Sequence, residues 1–352
     1  MVRAMSTFDP NGAALFDGIY GLPFAENESR CVLIPVPYDA TTSYRPGTRN
    51  GPSAILEASR QVDLWDVELG RVYEPGIHCL PEDAEIRAWS EEARVAAEPV
   101  IEAGGDVAGS NALQDALALV NRRSEQMNAR VEAIARSRMD AGRIVGVVGG
   151  DHSTPFGLIR AASERWPGLG VLHVDAHADL RDAYEGFSWS HASIMHNVMT
   201  RLPGVSKLVQ VGIRDFCEAE VDFIRASKGR VVTHFDARLA RERAGGMSWS
   251  QQVTRAVESL PQNVHLSFDI DGLDPVLCPA TGTPVPGGLS FHEACVLISQ
   301  VALSGRRIVS FDLNEVAPGP DGDEWDGNVA ARLLYRIIGW TFASQGLLKP
   351  LA

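Results

Sequence analysis

Three short segments of the chain combine carboxylates and imidazoles at spacings that can do chemistry. They are Gly149-Gly150-Asp151-His152-Ser153, Asp175-Ala176-His177-Ala178-Asp179 and Asp269-Ile270-Asp271-Gly272-Leu273-Asp274-Pro275. Residues two apart on an extended segment point to the same side, so Asp175, His177 and Asp179 can converge, as can Asp269 and Asp271. Left alone, such like charges repel. Divalent cations relieve the repulsion, and carboxylates mixed with imidazoles, without thiolates, suit manganese, iron, nickel or zinc better than a closed structural zinc site. His152, Asp175, His177, Asp179, Asp269 and Asp271 are too many ligands for one ion that keeps an open position. Two ions about 3.5–4 Å apart that share carboxylates would activate a water for hydrolysis. Each piece alone has a plainer reading. Asp-x-His-x-Asp could be a solvated strand end, and a Gly pair followed by Asp is also an ordinary strand-to-helix turn with an N-cap. Three such segments at successive strand ends favour the metal reading.

The elements that must position them follow from the hydrophobic pattern. Short β-branched runs at 31–36, 144–148, 170–174, 208–212, 231–235, 264–268 and 308–313 alternate with helix-length segments, the pattern of parallel strands with crossover helices. Most runs are apolar on both faces, as in strands covered by helices on two sides. The expected fold is α/β: one doubly wound, mainly parallel sheet with helices on both faces, binding ligands beyond the carboxyl ends of its strands. Residues 1–28 read as a loosely ordered arm and 29–352 as one catalytic domain. A helical insertion at about 81–142 interrupts the alternation. In it Leu113, Leu117, Val120, Met127, Val131 and Ile134, spaced 4, 3, 7, 4 and 3, form one helical stripe, and Gly104, Gly105 and Gly109 make a loop before it. The apolar stretch at 333–348 reads as a terminal helix packed on the body.

Composition narrows the partners. With 45 acids against 32 bases the formal charge is −13, which disfavours nucleic acid and anionic membrane surfaces, since both need basic patches, and favours a cationic ligand. Five scattered cysteines without Cys-x-x-Cys spacing, an N-terminus without a signal-like apolar core, and no run of about 18 apolar residues point to reduced thiols and a cytoplasmic location.

These three segments, together with Pro279-Ala280-Thr281-Gly282-Thr283-Pro284, resemble the ureohydrolase family of arginases and agmatinases. The resemblance runs over about residues 31–348, and all six ligand positions are intact. It implies an arginase-like three-layer fold with two divalent ions. One would be held by His152, Asp175, Asp179 and Asp269, the other by Asp175, His177, Asp269 and Asp271, with Asp175 and Asp269 bridging. In that family a water activated between the ions attacks the central carbon of a guanidinium group. The tetrahedral adduct then expels an amine and leaves urea or a urea derivative. Asp271 matches the ligand that takes a hydrogen bond or proton from this water. His191, in Trp189-Ser190-His191-Ala192-Ser193, matches a histidine that shuttles protons or binds substrate, and Glu315, closing Ser310-Phe311-Asp312-Leu313-Asn314-Glu315, matches a glutamate that pairs with the guanidinium. From residue types alone His191 divides evenly between core and site, and Glu315 reads as a solvated turn. The other histidines, His173 and His265 among them, match no functional motif and read as structural.

The substrate is less defined. The polar loop by which arginases hold an amino-acid end is missing, and Leu180-Arg181-Asp182-Ala183-Tyr184-Glu185-Gly186 looks like the agmatinase branch, although Ala192 stands where Gly is common. The helical insertion, Thr41-Thr42-Ser43-Tyr44 and Glu324-Trp325-Asp326 resemble the subgroup acting on free or small substituted guanidines, where nickel rather than manganese works. Trp325 at the mouth would shorten the pocket and stack on a flat cation; a core or interface aromatic is its alternative. The reading is a dinuclear amidinohydrolase for a small guanidine, with a biguanide among the substituted forms. Agmatine or guanidinobutyrate comes second. The resemblance implies a trimer or hexamer, with a mixed oligomer open. Rival classes are a poorly active metal-binding subunit supporting a catalytic partner and the one-metal deacetylase-like hydrolases, which lack the 269–275 signature.

Overall fold

The computed structural model describes residues 8–351. In chain order its elements are β1 (Cys31–Val36), α1 (Gly51–Ser59), β2 (Trp65–Asp66), β3 (Gly70–Arg71), β4 (Ile77–Cys79), α2 (Ala84–Glu102), α3 (Asn111–Asp140), β5 (Ile144–Gly149), α4 (Phe156–Arg165), β6 (Leu169–Val174), α5 (Ile194–Arg201), β7 (Val205–Ile213), α6 (Glu218–Ala226), β8 (Val231–Phe235), α7 (Asp236–Ala244), α8 (Trp249–Glu258), β9 (Asn263–Asp269), α9 (Phe291–Leu303), β10 (Arg307–Asn314) and α10 (Trp325–Ser344). All seven strands read from the sequence are present. The short edge strand β4 and the small β2–β3 hairpin lacked a hydrophobic run long enough to read.

The sheet has eight strands in the order β4-β1-β5-β10-β9-β6-β7-β8, and every pairing within it is parallel. Strand faces alternate between two cores. Ile144 and Val148 join the core under α1, α8, α9 and α10, while Val145 and Val147 join the one under α2, α3, α4 and α5. Register decides what the rim can do. Val36 pairs with Gly149, Val148 with Leu313, Asn314 with Asp269, and Val174 with Phe268. The carboxyl ends of β5, β10, β9 and β6 therefore lie side by side at one edge, where an open α/β sheet binds ligands.

The insertion is the helix pair α2–α3, broken by the glycine loop. The side chains of Asp83 and Ser110 accept the first free amides of the two helices, which fixes where each begins. Val120, Met127 and Val131 on the expected stripe are fully buried against the sheet, and Leu113, Leu117 and Ile134 pack on them. The terminal helix α10 is buried along most of its length. Among the described residues no helix is long and apolar enough to cross a membrane.

The reading of residues 1–28 as a loose arm is corrected at its C-terminal end. Ile19, Tyr20 and Leu22 are each 2% exposed. The Tyr20 ring lies 4.8 Å from that of Tyr335, and its hydroxyl donates to the Ala331 carbonyl at 3.0 Å. Tyr20 was invisible as core because the partners of its ring and hydroxyl, Tyr335 and Ala331, lie more than 300 positions away. We expect Tyr20→Ala to destabilise the fold by about 3 kcal/mol or more, measured as a shifted denaturant midpoint. A change within about 0.5 kcal/mol, as for an exposed surface position, would restore the loose-arm reading.

Candidate active site

At the end of β5 the chain turns through Gly149 and Gly150 for steric reasons. A Cβ at Gly149 would overlap the side chains of Asn314 and Thr154, and one at Gly150 would overlap the Tyr38 carbonyl. The turn thus passes between the ends of β1 and β10 and sets His152 over the central strands. His152 Nδ1 lies 3.0 Å from Asp175 Oδ2, 3.2 Å from Asp269 Oδ2 and 3.5 Å from Asp179 Oδ2. His177 Nδ1 lies 3.1 Å from Asp271 Oδ2 and 3.5 Å from Asp175 Oδ1. The six residues expected as ligands are brought together, and Asp175 belongs to both clusters of donor atoms.

The donor chemistry fits cations. Ser267 donates to Asp312 at 2.9 Å, so it receives the His152 Nε2 proton at 2.9 Å. That tautomer leaves the Nδ1 lone pair facing three carboxylates, an arrangement that needs a proton or a metal ion between them. Burial and then the neighbouring Asp271 and Asp175 charges push Asp269 well above the ordinary carboxylate range. Burial and Asp175 do the same to Asp179. Although burial opposes charge on His152 and His177, hydrogen bonds and charges from Asp175, Asp269 and Asp271 hold both imidazoles well above their usual range. The cluster holds protons in the absence of cations.

A second layer, missed in the sequence, fixes these groups. Gln210 donates to His173 Nδ1 at 3.0 Å and to the Ala178 carbonyl at 2.7 Å, and accepts from Thr233 at 2.8 Å. His173 therefore carries its proton on Nε2 and donates to Asp175 Oδ2 at 2.8 Å. Its donor atoms also lie within the cluster formed by His152, Asp175 and Asp179, so reading His173 as merely structural is corrected: it orients the carboxylate shared by both clusters. On the other side Asp312 accepts from Ser267 and from His265 Nε2, the latter at 2.6 Å. His265 thus joins the same network. The alternation of polar residues along β9, and the placing of His173 two residues before Asp175 at the end of β6, were the available signals.

Glu315 is 4% exposed and sits at φ 62°, a left-handed conformation rarely adopted outside glycine. Its amide donates to the Gly150 carbonyl and its Oε1 accepts from the His152 amide, both at 2.8 Å, while Thr281 donates to its carbonyl at 2.7 Å. Burial and then the Asp269 and Asp151 charges push its carboxyl well above the ordinary range, which a bound cation would reverse. It is thus no solvated turn. His191 lines a cavity of about 190 Å³ with His177, Asp179, Arg181, Tyr184, Asp215, Phe216 and Thr283. Burial and then His177 lower it to about 4, so it is neutral near pH 7. The Thr41 hydroxyl lies 3.4 Å from both His191 Nδ1 and Asp151 Oδ2, and accepts from the His191 amide at 3.2 Å.

Trp325 is not brought to this cavity. It opens α10, remains 46% exposed, and its indole N–H donates to the Val276 carbonyl at 3.2 Å. Its expected role in shortening the pocket is therefore corrected.

Metal ligands must shed the protons that this cluster favours, so binding of manganese or nickel should release protons and weaken as pH falls. Competition titrations are expected to give an affinity lower by about tenfold or more at pH 6 than at pH 8. An affinity unchanged between the two would remove these side chains as ligands.

Comparison with known proteins agrees with this geometry. The model of the arginase family matches residues 29–339. An N(1)-aminopropylagmatine ureohydrolase of Thermus thermophilus is 36% identical over 324 residues, covering 92% of this chain and 94% of that protein. An agmatinase of Bacillus anthracis is 29% identical, with coverages of 89% and 92%. The crystal structure of the agmatine ureohydrolase of Thermoplasma volcanium superposes with a TM-score of 0.71 at 22% identity, over 94% of this chain and 96% of that one, and shares the fold. A parallel sheet whose central strands end in this carboxylate and imidazole cluster, matched along nearly its whole length, belongs to the arginase family of ureohydrolases, hydrolases that act on the C–N bonds of amidines.

Proposed function

We propose that the chain is a dinuclear amidinohydrolase that converts a guanidino compound to urea or a urea derivative and an amine. The observation that carries this reading is the His152 Nδ1 lone pair turned toward Asp175, Asp179 and Asp269 beside a second group of Asp175, His177 and Asp271. His152, Asp175, Asp179 and Asp269 would hold one divalent ion, and Asp175, His177, Asp269 and Asp271 the other, with nickel or manganese as the metal. When bound, the ions would supply the charge that makes a water nucleophilic near neutral pH.

The protein's own groups do the rest. Asp271 Oδ2, 3.3 Å from the Thr283 hydroxyl, accepts a proton or hydrogen bond from the attacking water. Glu315, with Oε1 held by the His152 amide, accepts from the guanidinium fork and recovers its charge in doing so. His191, neutral and oriented by Thr41, takes up the proton released by the attacking water, passes it to the departing amine and returns to its neutral form.

Within the class, the cavity favours a guanidine with an aminoalkyl tail. Tyr184 and Phe216 offer ring surface, and exposed Asp215 offers a carboxylate at the mouth. The printed names of the relatives, agmatinase and N(1)-aminopropylagmatine ureohydrolase, support that order. Free or small substituted guanidine is the second reading, weakened by the position of Trp325.

The test is urea detection over a panel of guanidine, agmatine, N(1)-aminopropylagmatine and guanidinobutyrate, with enzyme reconstituted separately with nickel and manganese. Turnover of an aminoalkyl guanidine at least about tenfold above guanidine in kcat/KM is expected, equivalent to about 1.4 kcal/mol of transition-state binding. The reverse order would establish the compact substrate, and no urea from any compound would remove the activity. Asp269→Asn should lower bound metal and abolish turnover, as measured by elemental analysis and urea release. A fully loaded, active variant would exclude the bridging role.

A further inference from the structure

The helix pair α2–α3 contributes no residue to the cavity, yet it touches both loops that form the cavity's rim. The first loop follows β1, carries Ser43 at the cavity and Thr41 under His191. From α2, Arg94 donates to the Thr42 carbonyl, with its side chain 13% exposed. Ser90 accepts from the Asp39 amide at 3.2 Å. From α3, the Ser124 hydroxyl meets the Tyr38 hydroxyl at 2.9 Å.

The second loop runs from Arg181 to His191 and carries Tyr184, over which Arg181 stacks at 4.9 Å. Asn121 of α3 accepts from the Ser188 amide at 2.9 Å and donates to the Gly186 carbonyl at 3.5 Å. A Cβ at Gly105, between the two helices, would come within 2.6 Å of the Glu185 Cα, so only glycine permits this approach. Glu185 itself is held at φ 51°, a left-handed conformation that persists only where surroundings impose it.

We propose that the α2–α3 pair is a brace that fixes the separation of the two rim loops, with Arg94 and Asn121 as its positioning residues. Resting on the assignment of this cavity to a guanidino substrate, the brace sets the mouth that receives the part of the substrate beyond the guanidinium. The carboxylate and imidazole cluster is built on strand ends and does not depend on it, and the contacts of Arg94 and Asn121 fall on Thr42, Gly186 and Ser188 rather than on Thr41 or His191. Loosening either contact should therefore change substrate capture more than the chemical step.

The experiment compares full-length, metal-loaded wild type with Arg94→Met, Asn121→Ala, Arg94→Lys and, as a control on the exposed face of α3, Arg122→Ala. Hydrogen exchange is expected to accelerate about tenfold or more over residues 42–44 in Arg94→Met and over 184–188 in Asn121→Ala, with Thr41, His191 and the ends of β5, β6 and β9 unchanged. Metal content should equal that of wild type. KM for the preferred guanidino compound should rise about tenfold with kcat within about twofold, and Arg94→Lys should recover most of the loss. Arg122→Ala should match wild type. Unchanged exchange in the two loops, unchanged KM despite faster exchange, or loss of metal with activity would each overturn the brace. A wild type that released urea from no guanidino compound would instead refute the proposed activity, and exchange would still judge the brace.

Discussion

Everything at the centre of this molecule answers to one electrostatic constraint. Asp175, Asp179, Asp269 and Asp271 are each 5% exposed or less and crowd one rim of the sheet. Burying like charges together is strongly unfavourable unless cations or protons offset them. The sheet order makes the gathering possible. Because β5 and β10, and likewise β9 and β6, are neighbours in space though far apart in sequence, four separate strand ends deliver their groups to one point. A fold that scattered those strands could carry the same motifs without building the site.

The same constraint explains a polar interior beneath the rim. His173, Gln210, His265, Ser267, Ser310 and Asp312 are fully buried, where hydrophobic residues would ordinarily stand. Each has a partner. His265 meets the Ser310 hydroxyl at 2.8 Å, and the Asn314 side-chain Nδ2 donates to Asp312 Oδ1 at 2.5 Å. Buried polar networks are tolerable only when their members are satisfied, and this one ends on His152 and Asp175. The sheet thereby gives up apolar packing under the rim in exchange for fixed orientation of two groups that would otherwise rotate.

Much of this was legible in the sequence because the key residues are local in it. Asp175, His177 and Asp179 share a segment of five residues, so their convergence could be expected from alternation, although the segment lies past the end of β6 and Asp179 reaches the cluster through a left-handed turn at φ 53°. What was not legible depended on distance along the chain. His173 differs from an ordinary strand residue only through Gln210 and Thr233, contributed by β7 and β8. Tyr20 became core through a helix at the other end of the chain. Trp325 follows Glu315 closely in sequence, but the intervening turn and the start of α10 carry it away from the cavity, so proximity in the chain misled. Glu315 was reached only through the family resemblance of its segment, since its burial comes from Gly150, His152 and Thr281 on other segments.

Chemistry and selectivity are thus supported by different parts of the fold. The carboxylates and imidazoles of the cluster stand at strand ends whose register is set by ladders of hydrogen bonds, and a shift in one strand would misalign them with those of its neighbours. The rim instead consists of loops. Tyr184 turns on two hydrogen bonds to Phe187, at 2.9 and 3.3 Å, and Phe216 remains 38% exposed. Substitution at such positions changes contacts with the distal part of a substrate while leaving the carboxylate cluster untouched. On the proposed reading, hydrolysis of a guanidino group needs the cluster, whereas the choice among substrates falls to the rim. A family that keeps the first and varies the second can present one reaction to substrates as different in length as the names of its members indicate. His191 is where the two requirements meet, since its ring faces the cluster while its amide is held by a rim loop.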